Sequence, residues 1–525
     1  MSSRDRSRND SATGAEPPPA AVPGNLWTEI EPPEPGRLSS PPPVSVVVEA
    51  LDGERAADLD LTLAGLERQT YPANLTETRV PGVDYGERKP MGEVLIFITA
   101  GAVPDPSMIE AHVRWHLAVA DAVTVGPMRP LDPEGLDPAH VRDAAASGQL
   151  ATALDARPGE GPEPLSLIDD LTRGLTEFDL GLYRAAALGN VGMRRATFAA
   201  VGGESAEPSG HLRRLDRALR LACFGAVFVP EPAAVCWSAH ADTLVAVARL
   251  DPTAPTDSGS ASAPVGATAL IPAMPFRRLP SPRRFRRSAM VVNLDAAGAT
   301  ADELDHAMET IVDGRCGDLE LRIQVASDHP ERSAIEAVVA ADERIVLGER
   351  STESFCASPV QVTMPGVVMP DRRTLGDLCE LVINERVGVI RVTVPGVPPA
   401  EAMVHAYASG PLARASRVSR STGEPLDQIL IRLFGERWIS GVEVSLRPHG
   451  VDEAEITEHG LLAAATDLDE ERTKHLRYRR LANELTTRAA IQDKRVVKER
   501  LRVRAARIRA ERAEALADEA TQQRS

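Results

Sequence analysis

The run Val44-Ser45-Val46-Val47-Val48 constrains this chain more than any other feature. It is rich in β-branched residues and lacks polar alternation, so it suits a strand covered on both faces, as in a parallel sheet. A helix follows, because Leu59, Leu63 and Leu66 recur at spacings of four and three and share one face. It stops at Gln69-Thr70-Tyr71-Pro72, where proline forbids continuation. A second strand is expected at Val94–Ile98 and a helix through Met108, His112 and His116. Further strand and helix signals fall at Val123–Val125, Met193–Val201, Leu212–Ala222 and Ala226–Val229, with an irregular insertion over 130–175. Aromatic residues make up only 3% of the chain, so the core must be built from Ala, Val and Leu. That also suits α/β layers.

The cycle restarts beyond residue 287. Met290–Asn293, Leu319–Val325, Val360–Thr363 and Val389–Val394 read as strands. Leu304, Met308 and Ile311, and then Ile335, Val338 and Val339, mark helices between them. The turn Ile98–Asp105 resembles Val362–Asp371, each after a buried strand and before a helix, which points to an internal duplication. Pro-rich residues 1–43 read as a disordered arm, and Pro-, Ser- and Ala-rich residues 251–287 as a linker. Residues 44–250 and 288–455 are therefore two tandem α/β domains. Residues 467–520 form a basic helical or coiled-coil tail, without Gly or Pro.

The formal net charge of −17 argues against nucleic acid as a partner. Cys223, Cys236, Cys316, Cys356 and Cys379 are scattered without metal-ligand spacing, which fits a reducing compartment. No run of eighteen apolar residues occurs, and no signal peptide is read at the start. A cytoplasmic protein is expected. Its basic 472–512 stretch could dock on an anionic membrane surface, peripherally at the inner face, or on a partner helix. There is no Walker loop, no G-x-G-x-x-G after a strand, no H-E-x-x-H and no G-x-S-x-G.

Four segments of the first half resemble the glycosyltransferase family 2 pattern on the GT-A fold. They are Val44–Val48 with the Gln69–Pro72 corner, Gly92–Pro106, Gly189–Arg195 with Phe198 and Val201-Gly202-Gly203, and Ala218–Val229 with Trp237 and His240. The second half resembles the same fold more faintly, through Val291–Asn293, Asp295 and Val325–Asp328. The resemblance implies two tandem nucleotide-diphospho-sugar transferase domains. It further implies a nucleotide-sugar and a glycan acceptor as partners, in cell-envelope or exopolysaccharide assembly.

It also implies site residues. Asp216 is the surviving acid near the catalytic-base position, where Arg213 and Arg214 stand in place of the usual acidic pair. Glu49, Thr99, Gly101, Asn190, Met193 and Arg194 fall in segments that line the donor pocket, and Asp328 follows a strand where an acid would meet a nucleotide base. Asp328 also reads as a helix N-cap or turn residue, and Arg194 with Arg195 as solvated surface charge. The family's Asp-x-Asp metal motif is missing. Thr99-Ala100-Gly101 and Thr363-Met364-Pro365 occupy the two expected positions, so the residues do not support a divalent cation. Two functions stay open: a transferase that uses arginines to offset diphosphate charge, and a non-catalytic scaffold or partner subunit.

Overall fold

In the computed structural model the described residues are 17–448, apart from 39, 50–55, 81–89, 205–209, 249–266, 273–280, 282, 284, 315, 341, 343, 349–355 and 400–401. The chain divides into two compact units, residues 1–451 and 452–525. The second unit, with the expected basic tail, lies outside the described residues, as do residues 1–16 and most of the expected linker.

The expected β-branched runs form strands. The first half holds β1 (Val44–Glu49), β2 (Thr76–Arg79), β3 (Val94–Thr99), β4 (Ala102–Pro104), β5 (Ala122–Val125), β6 (Met128–Pro130), β7 (Asn190–Arg194), β8 (Val227–Pro230) and β9 (Cys236–Ser238). Its main sheet has the order β2-β1-β3-β7-β5-β8, and β4-β9-β6 form a small second sheet. Only β7 runs against its neighbours in the main sheet. β1, β3 and β5 are buried at every residue, as their composition requires.

The second half holds β10 (Met290–Asp295), β11 (Leu319–Gln324), β12 (Ile345–Gly348), β13 (Val360–Pro365), β14 (Val368–Pro370), β15 (Val389–Thr393), β16 (Met403–Ala408), β17 (Glu436–Ser440) and β18 (Leu446–Pro448). Its sheet order is β12-β11-β10-β13-β16-β15-β17, with β14 paired to β18. Setting aside β6 and the edge strand β12, the two halves match strand for strand in chain order, neighbours and direction. Even single bonds repeat: Ala100 N–H donates to the Glu49 carbonyl, and Gly366 N–H to the Asp295 carbonyl. This register sets Val94–Val125 against Val360–Arg391 without a gap. Thr99 is therefore matched by Pro365, not by Thr363 as the turn motif alone suggested.

The segment from Pro17 to Leu38 departs from the expected unpacked arm. Ala20, Val22, Asn25 and Ile30 are buried. The Asn25 side chain donates to the Phe228 carbonyl at 2.8 Å and accepts from the Phe228 N–H at 3.0 Å. Gly24 N–H donates to the Leu433 carbonyl at 2.8 Å, so this strap touches both halves. Proline-rich composition marked it as non-helical; the few apolar and amide side chains that anchor it leave no periodic signal.

The halves meet where the Gly210–Phe224 helix ends against the Ser409–Thr422 helix. A helix C-terminus leaves carbonyls unpaired and partly negative. Arg414, 2% exposed, donates to the carbonyls of Gly225 (2.7 Å), Ala226 (2.9 Å) and Gly24 (2.5 Å). Arg417 donates to the Phe224 carbonyl (2.6 Å) and to Asp121 (2.8 Å). Burial lowers Arg414 to about 10, so it remains a cation at neutral pH. The backbones approach closely here. Gly225 has φ +77°, and a Cβ on it would collide with the Gly410 carbonyl oxygen. Gly225→Ala is therefore expected to destabilise the chain by ~2–4 kcal/mol, read as a lower denaturant midpoint.

Candidate functional site

Parallel strands deliver their C-terminal ends to one edge of a sheet, where α/β proteins place ligands. In the first half Glu49 closes β1 and Thr99 closes β3, directly opposite each other in the register. The Gly210–Phe224 helix runs past this edge. It carries Arg214 and Arg217 three residues apart, hence on one face, and both are 1% exposed. Arg214 Nε donates to Glu49 at 2.8 Å, and Arg217 donates to both Glu49 oxygens at 2.7 and 3.1 Å. Arg217 also reaches Glu204 at 3.2 Å and lies 3.9 Å from the centre of the Phe97 ring. Burial alone would push the Glu49 carboxyl up. The Arg217 and Arg214 charges and hydrogen bonds outweigh it and hold Glu49 at about 2. Burial likewise disfavours the Arg217 cation, yet Glu49 and Glu204 raise its pKa.

Thr99, Ala100 and Gly101 stand at this edge as the sequence predicts, and they bind backbone. Thr99 N–H and Oγ1 both donate to the Gly189 carbonyl, at 2.9 and 3.3 Å. Gly101 N–H donates to the Asp58 carbonyl at 3.0 Å. With φ +79°, Gly101 comes so close to His240 that a Cβ would lie 2.9 Å from its Cδ2. His240 Nε2 sits 3.5 Å from an Asp58 oxygen. Among the described residues no group of three or more His, Cys, Asp or Glu could hold a metal ion. Asp105 and Asp371 lie after the turns. The Asp105 carboxylate accepts from Ser107 N–H and Oγ–H, and that of Asp371 accepts from the Arg373 N–H.

Asn190 is at the same edge but turns inward. Its Oδ1 meets His112 Nε2 at 3.0 Å and its Nδ2 donates to the Ala234 carbonyl at 2.7 Å. His112 Nδ1 meets Thr124 Oγ1 at 2.7 Å, and His116 Nε2 approaches the same hydroxyl at 3.3 Å. Burial lowers His112 to about 4 and, with the charges of His112 and Arg194, takes His116 well below its ordinary value. Both rings are neutral at pH 7. At the equivalent second-half positions stand Leu378, Val382, Ile390 and Val404, all buried and apolar. The network was missed in the sequence because its members come from three separate elements that only the fold brings together.

Four site expectations need correction. Asp216 is 1% exposed, with Arg220 at 2.9 Å on one oxygen and Arg287 at 2.6 Å on the other, so two guanidinium groups enclose its carboxylate. Met193 is fully buried opposite Leu95, in the core. Arg194 pairs across from Val94, at the far end of β3, because β7 runs antiparallel. At ~3.3 Å per residue it lies roughly 16 Å from the Thr99 edge. It donates to the His116 carbonyl at 2.8 Å and pairs with Glu93. Asp328 is an exposed turn residue beyond β11.

The structure thus assembles Glu49, Thr99 and Gly101 with Arg214, Arg217, Asp58 and His240. The partnership of Glu49 with the two arginines was the signal to find: basic residues at helical spacing within an otherwise apolar face. Glu49→Gln should leave two buried cations undercompensated and cost ~3–5 kcal/mol. The Glu49 contribution is complete above its ordinary value of 4.5 and is lost as pH falls towards 2. Denaturant unfolding between pH 6 and pH 2 should show this acid-labile component in the wild type and not in Glu49→Gln.

No family model matches the sequence, and no curated protein matches it. Solved structures to which the chain is similar include a mannosyltransferase from Pyrobaculum calidifontis in complex with GDP-Man and Mn2+. That alignment has 15% identity and a TM-score of 0.25, and covers 40% of this chain and 59% of that one. Glucosyl-3-phosphoglycerate synthase from Mycobacterium tuberculosis, with Mg2+ and UDP, aligns at 13% identity over 35% of this chain and 79% of its own, TM-score 0.21. GalNAc-T7 with UDP, GalNAc and Mn2+ aligns at 12% identity over 38% and 43%, TM-score 0.23. The chain spans about three-fifths of the mannosyltransferase.

Proposed function

We propose that this chain is a glycosyltransferase family 2-like protein of cell-envelope or exopolysaccharide glycan assembly, made of two copies of the nucleotide-sugar transferase fold. In this reading it serves as a non-catalytic scaffold or partner subunit. One observation carries the proposal. Where a metal-assisted transfer needs carboxylates at the end of β3, the chain has Thr99-Ala100-Gly101, and the neighbouring carboxylate, Glu49, is held by Arg214 and Arg217. A leaving diphosphate needs a cation or free guanidinium groups to offset its charge. The two arginines nearest this edge already hold Glu49.

The expected base, Asp216, is moreover enclosed by Arg220 and Arg287. The folding frame outlasts such losses because core packing does not depend on them. A second reading is transfer without metal. It draws support from the surplus of arginine at this edge, where Arg213 stands 3.6 Å from Glu204 and adds to Arg214 and Arg217. Diphosphate would then have to displace Glu49 from its partners.

Calorimetric titration with UDP-, GDP- and TDP-sugars, with and without Mn2+, together with a hydrolysis assay, separates the two readings. The scaffold reading expects no turnover with any donor and no gain from Mn2+. Binding accompanied by turnover would overturn it in favour of the transferase.

A further inference from the structure

Mostly parallel sheets bury both faces, because their connecting helices lie on both sides. The second sheet does so only in part: on one face the Ser409–Thr422 and Leu426–Phe434 helices cover Val389 and Tyr407, and most of the next row is half-buried. Along β11 and β13 the pattern alternates: Leu321, Ile323, Val362 and Met364 are buried, while Glu320, Arg322, Gln361 and Thr363 are half-buried. The Ala301–Val312, Arg332–Val339 and Thr374–Glu385 helices all pack into the core beneath the apolar face. On the opposite face, Arg322, Asn293, Thr363, His405, Arg391 and Trp438 fall into one row across six strands. With neighbouring strands ~4.8 Å apart, the row is roughly 24 Å long.

The first half shows what this row replaced. Its equivalent positions are Arg79, Val47, Phe97, Val191, Val125 and Pro230; the four inner ones form a buried apolar row, and Arg79 and Pro230 at its ends are half-buried. There the Leu180–Ala187 segment lies against β5, β7 and β8. That cover belongs to the long stretch between β6 and β7. The second half has only a short connection from Thr393 to Met403. Among the described residues no equivalent segment lies over this row, and its side chains are mostly polar.

They are also organised. Arg391 donates to Glu436 at 2.7 Å, to Asp427 at 3.0 Å and to His405 Nε2 at 3.1 Å, and lies 5.6 Å from the centre of the Trp438 ring. Arg322 is bonded to Glu320 at 2.7 Å. Burial, with the Arg391 charge, lowers His405 to about 4, so its ring is neutral. The charges are paired, so the face does not select a polyanion. It has no apolar strip for a lipid or an amphipathic helix. A ring beside planar and hydroxyl hydrogen-bonding groups suits a pyranose, which has an apolar C–H face and a rim of hydroxyls.

We propose that this open face of the second sheet binds a neutral glycan chain laid along the row. Trp438 stacks on one sugar, and Arg322, Asn293 and Thr363 bond hydroxyls of its neighbours. The class of ligand rests on the glycan-assembly reading above; the face itself is separate from the Glu49 edge.

Affinity electrophoresis of the full chain through gels containing dextran, mannan or galactan tests the proposal. At least one polysaccharide is expected to retard the wild type. Trp438→Ala and the half-exposed Arg322→Ala should each bind roughly tenfold more weakly, with thermal melts showing that they fold. Unchanged mobility in all three gels, or variants retarded like the wild type, would overturn it. So would a dimer that Trp438→Ala dissociates, because the face would then meet a second copy. Nucleotide-sugar turnover would refute the scaffold reading and leave a positive gel result standing. A negative gel result would refute the glycan face and leave the scaffold reading standing.

Discussion

A carboxylate buried at the end of a strand must be compensated, and the way Glu49 is compensated governs the first half of this protein. Two guanidinium groups from one helix converge on it, and Phe97 receives one of them on its ring. The cluster ties the Gly210–Phe224 helix to the edge of the sheet. It also leaves the strand tips without a free acid among the described residues near Thr99.

The same helix links this cluster to the rest of the compact unit. Its C-terminal carbonyls receive Arg414 and Arg417 from the second half, and Asp216 on another face holds Arg287. Arginine recurs in all three contacts because its planar, permanently charged fork can serve several acceptors at once. Alanine-rich and nearly free of aromatics, the chain has few large side chains with which to join its layers. Directional charged hydrogen bonds do part of that joining.

The two halves share one strand order and differ in cover. The first keeps a long insertion between β6 and β7, and with it a sheet buried on both faces. The second has a short connection there, and its outer face has turned polar. The polar network of His112, His116, Thr124 and Asn190 shows the opposite trade, since its second-half counterparts are all apolar. The two halves share the frame and carry their polar groups on different sides of the sheet.

Much of the frame was legible in the sequence. Val44–Val48, Val94–Ile98 and Met290–Asn293 are strands as their β-branched runs imply, and the leucine spacing gave the Ala56–Leu66 helix. The missing carboxylates at Thr99–Gly101 could also be read directly. These properties are local: periodicity and side-chain type are written along the chain. The roles of Glu49, Asp216 and Arg194 were not legible. Which arginine meets Glu49 depends on a helix far along the chain. Arg194 lies at the wrong end of the sheet only because β7 reverses direction. The polar row exists only because register aligns six strands that are separate in sequence. Sequence by itself determined the elements and the chemistry available to them; tertiary structure decided which charges would be neutralised and which face left open, because both depend on partners brought together by chain reversal and pairing.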